Sequence, residues 1–67
     1  MSAIKILDYL LANEPNVFPN EPLMLAAGDF VEKYDTTGQL DNWERESAES
    51  ILNLINRRRE NNVDAAQ

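Results

Sequence analysis

Apolar residues recur at helical spacing in three stretches of this chain, and proline, glycine and polar residues separate the stretches. In the first, Ile4, Leu7 and Leu11 fall on one line and Ile6 and Leu10 on a neighbouring one. Ser2 stands where an N-cap is wanted, and the helix must stop before Pro15, because the residue preceding a proline is pushed out of the α region. The link from Asn13 to Asn20 then holds an apolar pair, Val17 and Phe18, between Pro15 and Pro19.

The second stretch opens after Asn20 with Glu21 and Pro22 in its first turn. A missing N–H costs nothing there, and a negative charge suits the positive end of a helix. Leu23, Ala27, Phe30, Val31 and Tyr34 form its predicted buried stripe. Gly28 lies inside this helix, where glycine costs about 1 kcal/mol relative to alanine. Two readings follow: a close neighbour that tolerates no side chain, or a surface glycine that is merely tolerated. Gly38 ends the helix as its left-handed residue.

The third stretch begins at Asp41, which can cap, with Glu44 placed to reach back to it. Trp43, Ser47, Ile51, Leu54 and Ile55 share its predicted buried face. Arg57, Arg58 and Arg59 suit a last turn, where cations offset exposed carbonyls. The expected boundaries are helices at about 2–13, 21–36 and 42–59 in a single domain of residues 1–59, with 60–67 as a flexible C-terminal tail. The expected fold is all-α.

The apolar residues exceed what three short helices can hide by this reading. Ile4, Ile6, Leu7, Tyr9, Leu10 and Leu11 cover more than half the circumference of the first helix, and Leu52 lies beside the stripe of the third. A chain of about 60 residues buries only about 60% of its unfolded surface, and a core of that size rarely supplies more than about 3–5 kcal/mol. The expectation is a small three-helix bundle completed by dimerisation or by docking on a partner.

Composition removes most chemistry. The chain has no His and no Cys, so a general base would have to be a carboxylate or lysine, and a nucleophile a Ser or Thr without its usual partner. No catalytic residue, metal or cofactor is expected. No apolar run approaches the roughly 18 residues of a membrane span, and the N-terminus lacks a signal-peptide pattern, so a cytoplasmic location is expected, the host's if the protein is viral. Residues 1–56 carry ten acids against Lys5, Lys33 and Arg45, a net −7, with Arg57–Arg59 the basic cluster. Such a field repels nucleic-acid phosphates and anionic membranes and draws in basic protein surfaces.

Residues Phe30 to Glu44 resemble an EF-hand, with Gly38, Leu40 and Glu44 at the sixth, eighth and twelfth loop positions. The resemblance breaks at Lys33, where the family places a ligating Asp, and at Thr37, which replaces the acid at the fifth position. A plain turn between helices is expected. Glu49-Ser50-Ile51-Leu52 resembles the Glu-Ser-Ile-Leu of the uracil-DNA glycosylase inhibitors, which are acidic DNA mimics. That family carries the motif on an edge strand, whereas a helix is expected here, so its binding role is not transferred.

Two sets of residues are candidates for partner contact. The acidic set is Asp29, Glu32 and Asp35 on the second helix with Glu44, Glu46 and Glu49 on the third. Their spacing is comparable to that of phosphates along DNA, and their plainer reading is the solvated side of amphipathic helices. The apolar set is Val17, Phe18 and Trp43, each either a hook for a partner or a part of the core. The leading expectation is a non-catalytic inhibitor or accessory factor that sets its acidic face against a larger protein, such as a nucleic-acid enzyme. Small bacteriophage accessory proteins supply an analogy in size and charge. The rivals are a self-associating homodimeric or assembly subunit, and an antitoxin-like neutraliser.

Overall fold

In the computed structural model, which describes the backbone of residues 2–66 and the side chains of residues 2–60, helices α1 (Ala3–Asn13), α2 (Glu21–Thr37) and α3 (Asn42–Ala66) pack together. A single 3₁₀ turn, Pro15–Val17, lies between α1 and α2, and the described residues contain no strand.

The helix termini show which local signals act. Ser2 occupies the N-cap position of α1 in extended conformation, but its side chain makes no capping bond; its carbonyl accepts instead from Lys5 and Ile6 N–H. Asn20 behaves as the sequence predicts for α2, its Oδ1 accepting from Leu23 N–H at 3.0 Å, with Pro22 in the first turn. Gly38 adopts φ 75° and donates its N–H to the Tyr34 carbonyl, ending α2 in the left-handed region that a side chain would strain. The reach-back of Glu44 is present: its Oε1 accepts from Asp41 N–H at 2.8 Å.

α3 continues past Arg59 to Ala66. No Gly or Pro interrupts residues 60–66, so the backbone meets no breaker. The three arginines are therefore not in its last turn, and the predicted capping role is corrected. The side chains of the tail expected at 60–67 lie outside the described residues beyond Glu60.

Among the described residues, nine form the core: Ile4, Leu7 and Leu10 of α1, Phe18 of the link, Ala27 and Val31 of α2, and Ala48, Ile51 and Ile55 of α3. Leu7 and Ile55 are completely enclosed. α1 packs on both α2 and α3, more extensively than those two pack on each other. That placement covers more of α1 than one stripe: Ile6 and Leu11 are half-buried against the core, as is Leu52 of α3. The predicted apolar surplus is thus largely absorbed within one copy. Tyr9, Leu25, Trp43 and Leu54 remain exposed.

The stripe of α2 lies where the sequence places it, with Ala27 and Val31 buried and Leu23, Phe30 and Tyr34 packed beside them. The face of α3 does so only in part, with Ile51 and Ile55 buried as expected. Glu44, Ala48, Ile51 and Ile55 are its buried line, while Trp43 is 61% exposed and Leu54 43%. The helix is turned so that small Ala48, not bulky Trp43, meets the close-packed interior. Gly28 is half-buried, and a Cβ built there meets nothing within 4 Å, so no close neighbour explains it.

Candidate functional site

The α2–α3 turn is held by one lysine and two carboxylates. Lys33 Nζ donates to Glu44 Oε1 at 2.7 Å and to Asp41 Oδ2 at 3.5 Å. The hydrogen bond from Lys33, followed by that from Asp41 N–H, holds the Glu44 carboxyl below its ordinary 4.5 despite its desolvation. Glu44 raises the Lys33 ammonium above its ordinary 10.5 by the same hydrogen bond, with Asp41 adding to the effect. These are the first and last positions of the EF-hand-like segment, and here an ammonium bonds directly to the carboxylate. Thr37 Oγ1, at the fifth position, accepts from Gln39 N–H and stays within the turn. Glu44 is 5% exposed, so it does not belong to the outward acidic face on which the sequence placed it.

The other acidic candidates, Asp29, Glu32, Asp35, Glu46 and Glu49, are all exposed. α3 lies against the Phe30 and Lys33 side of α2, whereas Asp35 lines a shallow cleft with Ile4, Lys5 and Asp8 of α1. Asp29 and Glu32 precede Asp35 at three-residue steps and wind along the outer side of α2. Glu49 lines an adjoining recess, of about 580 Å³, with residues including Ser2, Gln39 and Arg45, and Ile4 and Tyr34 line both the Asp35 cleft and this recess. Its two charged groups, Arg45 and Glu49, are opposite in sign and one turn apart on α3, so it favours neither anion nor cation. The Glu49–Leu52 segment is helical, with Ile51 in the core.

Of the apolar candidates, Phe18 is 6% exposed and fills the core, Val17 is half-buried against it, and Trp43 lies outside. Phe18 is therefore a plug and not a hook. The Trp43 ring meets Phe30 of α2 edge to face, centroids 5.9 Å apart and planes at 80°. Such contacts fix a ring's orientation without enclosing it.

The sequence reading missed the use of the arginines. Arg58 Nη1 donates to the Phe18 carbonyl at 3.1 Å, and Arg59 Nη2 lies 4.0 Å from Glu14 Oε1. Both tie α3 to the link following α1. The signal available in sequence was a proline-flanked apolar pair whose irregular backbone would need donors from elsewhere.

No helix among the described residues is long and apolar enough to cross a membrane. Compared with protein-family models, with curated proteins and with solved structures, the chain matches none.

Proposed function

We propose that this chain is a non-catalytic interaction module, an inhibitor or accessory factor that docks by charge on a basic surface of a larger protein. The observation that carries this reading is the division of the charges. Of the chain's six cations, Lys33, Arg58 and Arg59 are engaged within the fold, whereas Asp8, Glu21, Asp29, Glu32, Asp35, Glu46, Glu49 and Glu60 are exposed. The field outside the molecule is negative on more than one side, and steers association with a positive surface. A nucleic-acid enzyme fits this description, because its groove is built to receive a line of negative charges.

The test is affinity capture from a bacterial lysate followed by elution with salt and with competing DNA. A nucleic-acid enzyme released by both, and not retained by an Asp29→Asn, Glu32→Gln, Asp35→Asn variant, supports the reading. Retention that is indifferent to salt and to these substitutions refutes it, since screening acts within about 10 Å at 0.1 M salt.

A second reading, a self-associating structural subunit, is favoured by the exposure of Tyr9, Leu25, Trp43 and Leu54. Sedimentation velocity separates the two. A dimer that persists or tightens as salt rises supports self-association, whereas a monomer at every salt concentration removes it.

A further inference from the structure

We propose that Trp43 and Glu46 together receive an arginine side chain from the basic surface on which the module docks, an inference that rests on the function proposed above. The chain's one tryptophan is 61% exposed, yet its ring is held edge to face by Phe30 at 5.9 Å. It is thus an oriented aromatic surface open to solvent. Glu46 follows three residues later on α3, on the same side of the helix, and is exposed. Helical side chains lean toward the N-terminus, so the Glu46 carboxylate leans over the turn that carries Trp43. Ser47, the neighbour four residues on, is too short to cover the ring.

Lys33 is bonded to Glu44 and Asp41, and Arg45 lines the recess beside Ile4 on another side of α3. Trp43 lies in the first turn of α3, whose positive end disfavours a cation, but the exposed carboxylates of Asp41 and Glu46 lie beside that turn and offset it. Asp41 and Glu46 are the exposed carboxylates beside the ring, and they favour a cation over an apolar anchor. A guanidinium fits better than an ammonium: it is planar, weakly hydrated, stacks on an indole, and presents N–H groups to a carboxylate at its edge.

The experiment uses the full chain and two octapeptides, one alternating arginine with glycine and one alternating lysine with glycine, at low ionic strength. Trp43 fluorescence reports contact at the site, and calorimetry follows the variants that lack tryptophan. The expected result is a saturable change in Trp43 emission with the arginine peptide and a Kd about 2- to 5-fold lower than for the lysine peptide. Trp43→Leu and Glu46→Gln should each weaken arginine-peptide binding by a similar factor, and Trp43→Phe by less. If Trp43→Leu fails to fold, as judged by circular dichroism, the wild-type emission and Trp43→Phe carry the test. Salt-sensitive binding of both peptides with unchanged emission and no preference for arginine overturns the proposal and leaves charge-driven docking intact. Binding of neither peptide overturns both.

Discussion

Replacing Phe18 by alanine tests whether the link between α1 and α2 belongs to the core or is a free hook. The ring is 6% exposed and belongs to the same cluster as Leu7, Leu10 and Ile55. Deleting a buried phenylalanine side chain costs about 3–5 kcal/mol, as lost transfer energy plus the unfilled cavity. A core of this size rarely supplies more than about 3–5 kcal/mol in total, so Phe18→Ala should leave much of the protein unfolded at room temperature. Phe18→Leu keeps most of the volume and should cost less than about 1.5 kcal/mol. Urea titration followed by far-ultraviolet circular dichroism gives both values. Arg58→Met adds a second reading of the same link, since it removes the 3.1 Å bond to the Phe18 carbonyl without touching the core. Its expected cost is about 0.5–1.5 kcal/mol. Because one residue holds the other's backbone, the two losses should fail to add in a Phe18→Leu, Arg58→Met double mutant. A Phe18→Ala protein with an unfolding midpoint close to wild type would refute the plug and return Phe18 to the list of partner contacts.

Gly28→Ala should stabilise the protein by about 0.5–1 kcal/mol in the same titration, because the new methyl meets open space inside a helix. Gly38→Ala should do the reverse by about 1–2 kcal/mol, since φ 75° forces an alanine into the left-handed region. The Lys33–Glu44 pair predicts a stability plateau between two titrations. Glu44's contribution is present above its ordinary 4.5 and is lost as pH falls through its lowered folded value. Lys33's is present below its ordinary 10.5 and is lost as pH rises through its raised folded value. Glu44→Gln should flatten both limbs of the urea midpoint plotted against pH, and a profile identical to wild type would show that the pair does not couple folding to protonation.

The elements themselves were legible in local signals. Asn20 with Pro22, and Gly38 after Thr37, mark the ends of α2 because capping and left-handed backbone involve only neighbours within a turn. The apolar period of α2 likewise placed Ala27 and Val31 inward, since nothing distant competed for that face. The far end of α3 was less legible, because residues 60–67 carry almost no apolar side chains to mark a buried face, although nothing in the backbone compels a stop there.

What the tertiary structure decided was rotation and pairing. Ranking α3 by hydrophobicity turned Trp43 inward and Glu44 outward, but Lys33, eleven residues away on α2, draws Glu44 into the junction. With Glu44 and Ala48 on the buried line, Trp43 lies to one side against Phe30. The acidic residues were visible as a composition, yet only the packing of α1 against the other helices set Asp35 and Glu49 in adjoining recesses that share Ile4 and Tyr34. Arg58 meets Phe18 across forty residues of sequence. Backbone caps are satisfied by neighbours in the chain, so the sequence determined where the helices lie along it. The buried carboxylate and the link's carbonyl are satisfied by partners that only folding brings near, so the tertiary structure decided which side each helix shows to solvent.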